Sequence, residues 1–219
     1  MRHPRRWALA LLAGIVVLLG AGYAFFALQG GDAPPPPTLS PRQADTGESE
    51  TGRFSVIRAA NTFAGYRVDE DYLGVGVHTA VGRTPLVSGT LTLEGSQVTT
   101  ASLAADLTQL RSDQDGRDRA LQDRGIETAR FPRARFELQA PFALSRRVQR
   151  ATGTLELHGR RAPLRVTVRG QRVSGGIELV GSGRVEFRSF GIEPPSVAGL
   201  VKVEDHGVLE FRLRLAPLR

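Results

Sequence analysis

From Phe54 onward, apolar and polar residues alternate along the chain with a period of two. That is the rhythm of a strand with one buried and one wet face. The stretch Val87-Ser88-Gly89-Thr90-Leu91-Thr92-Leu93-Glu94 shows it plainly, with Val87, Gly89, Leu91 and Leu93 on one side and Ser, Thr and Glu on the other. The same alternation returns around Phe136–Gln139, Thr154–His158, Leu164–Arg169, Ile177–Leu179 and Leu209–Leu215. Weaker runs lie near Phe63–Val68, Gly74–His78 and Ala101–Leu107. Turn-forming clusters such as Glu94-Gly95-Ser96, His158-Gly159-Arg160, Ser174-Gly175-Gly176 and Gly181-Ser182-Gly183 separate the runs. The pattern predicts an all-β domain of about eight or nine short antiparallel strands, closed into a barrel or stacked as a sandwich.

In a barrel, the alternation turns one set of side chains inward. These are Leu91, Leu93, Leu103, Leu107, Phe136, Leu138, Leu155, Leu157, Val166, Val168, Ile177, Leu179, Phe187, Phe211 and Leu213. An eight-stranded barrel is just wide enough either to fill with such side chains or to hold one small ligand. The alternation alone leaves both open. One segment, Ser112–Arg124, breaks the rhythm and is densely charged. It predicts a short helix over Arg117–Arg124, capped by Ser112, Asp113 or Asp115 and ended by Gly125.

Two stretches precede the domain. Trp7–Leu28 carries no charge and follows Arg2, Arg5 and Arg6. Its 22 residues would cover about 33 Å as a helix, close to a bilayer's hydrocarbon core. A signal anchor over residues 1–28 is therefore expected, with the arginines cytoplasmic and everything later on the outside. Small residues at Gly22 and Ala24 keep a cleaved signal peptide as the alternative. Residues 29–52, with Pro34-Pro35-Pro36-Pro37 and otherwise mostly polar, predict a Pro-rich flexible linker to a domain at 53–219. The expected location is thus the cell membrane, single-pass, with an extracytoplasmic domain.

Composition changes this picture in two places. There is no cysteine, so no disulfide, thiolate nucleophile or Cys-based metal site exists. The net charge is +7, carried entirely by the outer domain because charges before Arg53 cancel. A basic surface favours anionic headgroups or polyanions, but with Lys202 the only lysine, the arginine bias also reads as coding composition.

The ordered motifs resemble the YceI-like family of extracytoplasmic, lipocalin-like bacterial proteins. The likeness is carried by Gly116-Arg117-Asp118-Arg119-Ala120-Leu121 and Phe131-Pro132-Arg133-Ala134-Arg135-Phe136-Glu137. It continues in Val81-Gly82-Arg83-Thr84 with Val87–Leu91, in Gly153–Gly159 with Ala162-Pro163-Leu164, in Phe187-Arg188-Ser189-Phe190-Gly191-Ile192, and in Val208–Phe211. The resemblance spans roughly Arg53–Leu215. It implies an antiparallel eight-stranded lipocalin-like barrel with a short helix between strands, holding an isoprenoid or fatty amphiphile. Three positions depart from the family pattern: Ala120 where many members have His, Ile126-Glu127-Thr128 in place of Phe-Phe-Asp, and Arg188-Ser189-Phe190 without Asp after Ser.

Polar candidates are few. Arg117 and Asp118 are the sharpest pair. Arg117 reads either as a clamp on a headgroup or phosphate, or as a tie between helix and strand. His78, His158 and His206 have no metal-ligand spacing, and no Gly-x-Ser-x-Gly elbow accompanies the Ser, His and Asp residues. The acidic doublets Glu70-Asp71 and Glu204-Asp205 read as solvated charges near turns. No catalytic residue, metal, cofactor or nucleic-acid partner is expected, and the sequence is silent on oligomeric state. The leading expectation is a lipid-binding module. Behind it stand a packed structural or interaction domain of the cell envelope and, last, an enzyme.

Overall fold

A computed structural model of the chain describes residues 33–41, 51–73, 76–194, 196–197 and 201–218. The expected signal anchor at 1–28 and much of the expected linker lie outside them. Among the described residues no helix is long and apolar enough to cross a membrane.

The alternating runs form one antiparallel sheet that closes on itself. Its strands are β1 (Gly52–Val56), β2 (Phe63–Tyr72), β3 (Gly76–Thr84), β4 (Val87–Glu94), β5 (Gln97–Asp106), β6 (Arg133–Leu138) and β7 (Phe142–Ala143). After them come β8 (Gln149–Leu157), β9 (Arg160–Val173), β10 (Gly176–Glu186), β11 (Ser196–Val197), β12 (Val201–Val203) and β13 (His206–Pro217). The ring runs β1-β4-β5-β6-β8-β9-β10-β13, and β13 returns to β1 through Phe54–Pro217 and Val56–Leu215. Closure leaves this ring of strands without an unpaired edge.

Two staves of the barrel are broken in the middle. β13 pairs with β1 along its end and with β2 along its beginning, so β1 and β2 are two halves of one stave. β3 and β4 make the next one, interrupted at Pro85-Leu86. Above that break β3 no longer meets β5. On the side away from β2, its backbone partner among the described residues is Arg111, through paired bonds of 2.8 and 3.0 Å. The gap is filled by the charged segment, folded as helix α1 (Asp115–Ala120) and a π-helical turn, Leu121–Gly125.

The helix begins earlier than expected, and its cap differs. Gln114 is the N-cap, and no side chain caps the helix. Ser112 and Asp113 turn their polar atoms to Arg117 instead, and Ser112 also bonds the Gln114 backbone. A buried guanidinium forms stronger bonds than a neutral backbone amide, so it wins the competition. The turn ends at Gly125 as expected, although the left-handed residue is Glu127, with φ 51°.

The bottom of the barrel is solid. Phe54, Leu91, Leu93, Val98, Ile177 and Leu215 are each at most 1% exposed and pack together. Nearer the middle, inward positions become small: Ala64, Ala101, Ala105, Ala134 and Ala151. Ala105 and Ala134 face each other across β5 and β6. Small side chains at these positions cannot reach across the barrel, so the interior opens above the floor.

Outside the barrel, residues 33–41 do not stand free. They run as a strap from the upper part of β2 and β3 down toward the start of β10. Arg67 Nη2 donates to the Pro34 carbonyl at 2.6 Å and Arg83 Nη2 to that of Pro35 at 3.2 Å. At the lower end, Ser40 N and Oγ each donate to the Glu178 carboxylate at 3.1 Å, and Gln171 donates to the Ser40 carbonyl at 3.0 Å. Arg212 donates to Ser40 Oγ at 2.8 Å and pairs with Glu178 at 2.7 Å. Proline fixes φ and leaves carbonyls without intrachain partners, which suits a segment held by arginine donors. The strap explains why outward-facing Glu178, Val180 and Glu210 are buried, at 3%, 3% and 1% exposure.

Glu178 makes the strap acid-labile. Burial alone would raise its pKa, but bonds from Gln171 and Ser40 and the charge of Arg212 hold it below its ordinary value. A depressed carboxylate contributes stability that is present above the unfolded pKa and lost as pH falls through the folded one. The protection of the Ser40 amide against hydrogen exchange, relative to its intrinsic rate at each pH, should therefore hold near neutrality and fall as acid protonates Glu178 below the ordinary carboxylate range. Glu178→Gln should flatten that dependence.

Candidate ligand cavity and its polar end

The hollow has two adjoining chambers that share Ala64, Ala105, Ala134, Leu155 and Leu209 as a waist. The cavity volume is about 150 Å³ in the upper chamber and about 90 Å³ in the lower. The two chambers follow one another along the barrel as a small, mostly apolar hollow, suited to a linear chain.

Most of the inward positions expected from alternation lie on its wall. Leu107, Leu155, Leu157 and Phe187 line the upper chamber. Leu103, Phe136, Leu138, Leu155, Val166, Val168, Leu179, Phe211 and Leu213 line the lower one. Leu91, Leu93 and Ile177 do not reach the cavity. They belong to the packed floor, because β4 and the start of β10 lie at the closed end.

The upper chamber ends against one polar cluster. Arg117, on α1, donates from Nε and Nη2 to the two oxygens of Glu70, both at 3.0 Å. Tyr72 donates to Glu70 Oε2 at 2.8 Å, and Arg117 Nη1 reaches Asp113 at 2.5 Å and Ser112 Oγ at 3.4 Å. Asp118 accepts from the Ser112 backbone at 2.9 Å. Burial draws the Arg117 pKa down, but the bonds and charge of Glu70 more than reverse this and raise it. Burial and the bond to Glu70 push the Tyr72 phenol up to about 12.

This arrangement bears on the two readings of Arg117. Its donors are committed to Glu70, Asp113 and Ser112, so it ties the helix to β2. Asp118 organises the start of the same helix. Glu70, read from sequence as a solvated charge, is 7% exposed. Strand alternation splits the doublet, turning Glu70 inward while Asp71 stays exposed. Counting Glu70, Asp113 and Asp118 against Arg117, the cluster carries more negative than positive charge.

Tyr66 was not singled out by sequence. It lines the upper chamber, and its buried hydroxyl has no hydrogen-bond partner among the described residues. Burial raises its pKa, while the nearby Ser112 hydroxyl is already engaged with Gln114 and Arg117. Its ring lies over Gly82, where a Cβ would sit 2.3 Å from a ring carbon, so the Gly of Val81-Gly82-Arg83-Thr84 is needed for close approach. A buried unsatisfied hydroxyl costs about 1–3 kcal/mol. Tyr66→Phe should accordingly raise unfolding stability by about 1 kcal/mol in a urea titration.

The rim of the mouth carries the remaining motif residues. His158 bonds through Nδ1 to the Phe190 carbonyl and through Nε2 to the Glu127 carboxylate, both at 3.0 Å. It thereby clasps the hairpin between β8 and β9 to the 3-10 helix Phe187–Phe190 and to the segment after the π-turn. Gly191 ends that 3-10 helix at φ 66°, a conformation glycine adopts without strain. His78 packs edge-on against Tyr72, with ring centroids 6.4 Å apart. His206 gathers both members of the acidic doublet noted in sequence, Asp205 at 3.1 Å and Glu204 at 3.6 Å. Their ligand atoms lie within 4.8 Å of one another on an exposed surface. Its bond to His206 lowers the Asp205 pKa.

Comparison with known proteins agrees with this architecture. The family model for the YceI-like domain matches residues 56–215. A polyisoprenoid-binding domain from Saccharophagus degradans, implicated in plant cell wall breakdown, aligns over 77% of this chain and 100% of its own, with TM-score 0.55 and 16% identity. BcnA of Burkholderia cenocepacia aligns over 70% of this chain and 96% of its own, with TM-score 0.54 and 15% identity. The YCEI protein of Campylobacter jejuni gives 63%, 84%, 0.53 and 16% in the same order. A search of curated protein sequences returned no match. At these identities the structures speak for the fold, and the family model for descent: the chain belongs to the YceI-like family.

Proposed function

We propose that this protein is an extracytoplasmic carrier that holds the hydrocarbon tail of an isoprenoid or fatty amphiphile in the barrel, anchored to the cell membrane by its N-terminal segment. The observation that carries the reading is the two-chamber hollow, whose wall is apolar apart from Tyr66, Glu70, Arg117 and Arg135. A dry tube favours a tail by about 0.8 kcal/mol for each methylene removed from water. The polyisoprenoid-binding relative from Saccharophagus degradans supports the same ligand class.

The polar cluster argues that the head is not gripped inside. Arg117, the cation at the polar end of the upper chamber, is engaged with Glu70, Asp113 and Ser112, and the net negative cluster repels an anion. Ala120 and Ile126, two of the positions that depart from the family pattern, lie on the chamber wall as apolar surface. The tail enters and the head stays at the mouth. Affinity then follows tail length and changes little when a phosphate head is exchanged for an alcohol.

The test is native mass spectrometry of full-length protein extracted gently from its membrane, followed by titration with prenyl and acyl alcohols of increasing length. A co-purifying lipid, and affinity rising about fourfold per added methylene until the lower chamber is full, are expected. A protein that emerges without adduct and ignores every tail would leave the packed-domain reading in its place.

A further inference from the structure

The strap and one hairpin together indicate which way the barrel faces. The chain reaches the barrel at Ala33, beside Thr79, Val81 and Asp113 near the mouth, and leaves the strap at Ser40, toward the floor. The uncharged stretch Trp7–Leu28 ends five peptide steps before Ala33, a reach of at most roughly 18 Å. The barrel itself is taller: its 14-residue β9, tilted as in closed barrels, spans about 35 Å. With the strap bound, the floor cannot be brought against a bilayer that holds Leu28.

The mouth end presents a surface that suits a bilayer. β2 and β3 project past the start of β13, flanked among the described residues by β12 and Glu204 on one side and by Arg111–Asp113 on the other. At the tip of this projection Leu73 is 65% and Val77 is 69% exposed, the highest values among the large exposed apolar side chains. Two such residues at one protruding hairpin carry a hydrophobic gain only if they leave water.

We infer that the domain docks mouth-first on the outer leaflet of the membrane that anchors it, with Leu73 and Val77 entering the lipid and the strap holding the barrel in that pose. A tail then passes from the leaflet into the tube without crossing bulk water. The inference rests on the anchored-carrier reading above and deepens it, naming the lipid bilayer as the partner surface. Sustained release of the strap would lengthen the tether and free the orientation.

The chain has no cysteine, so single spin labels can be placed without background. Full-length protein in anionic phospholipid vesicles would carry a nitroxide at Val77→Cys or, at the floor, Ser174→Cys. Oxygen should relax the label at position 77 more than a water-soluble nickel chelate does, and the order should reverse at position 174. Leu73→Ser with Val77→Ser should slow pickup of a fluorescent prenyl tail from vesicles at least about tenfold while leaving its affinity in detergent unchanged. A water-exposed label at 77, a lipid-exposed label at 174, or an intact mass lacking residues 1–28 in native membranes would each overturn the docking. A co-purified tail in the same preparation would show that the carrier reading survives that failure.

Discussion

Arg117→Ala should lower the unfolding free energy by about 3–5 kcal/mol, because it leaves the Glu70 carboxylate buried without its cation. Small domains are stable by only about 5–15 kcal/mol, so this is a large share of the total. The loss arises from the stranded partner more than from the attraction itself. Replacing both residues together, with Glu70→Leu and Arg117→Met, should therefore cost much less than Arg117→Ala alone, and a double-mutant cycle in urea reads the difference. A headgroup clamp predicts the opposite ranking. In that case Arg117→Ala would weaken binding of phosphate-headed amphiphiles selectively and leave the midpoint of unfolding nearly unchanged.

The second large effect is expected at the waist. Ala105 lies where the two chambers join, facing Ala134. A Phe ring in place of its methyl fills space that is already empty, so Ala105→Phe should cost about 1 kcal/mol of stability or less, below the usual penalty for overpacking. It closes the lower chamber to the tail. Losing burial of four or five methylenes, about 3–4 kcal/mol, should weaken long-chain amphiphiles by a hundredfold or more, while tails short enough for the upper chamber bind as before. Calorimetric titration with a long and a short alcohol separates these outcomes. Equal loss for both tails would show that the ring had disturbed the barrel as a whole.

The barrel was legible because alternation is a strong local signal, and strand pairing then fixes which face is inside. Leu155 and Leu213 needed no more than that. What alternation could not say was whether the inside is full, since large apolar residues read the same either way. The clue lay in the small residues at the same register, Ala64, Ala105 and Ala134, which a search for bulky side chains passes over. Glu70 was misjudged for a related reason: a doublet on a strand has one member inside, and only its partner, 47 positions away on α1, makes that tolerable. Such a pairing across the fold leaves no local trace. The strap was hidden too. Pro34–Pro37 has the composition of a spacer, and the Arg67, Arg83 and Glu178 side chains that hold it are scattered over three strands.

The packed floor separates what keeps this protein folded from what it carries. Phe54, Leu91, Leu93, Ile177 and Leu215 contribute their stabilisation whether or not the tube above is occupied. Discharging a cargo thus need not melt the vessel, and the vacant form remains a ready acceptor for the next molecule. A carrier whose interior were uniformly hollow would have to choose between a tight grip and survival when empty.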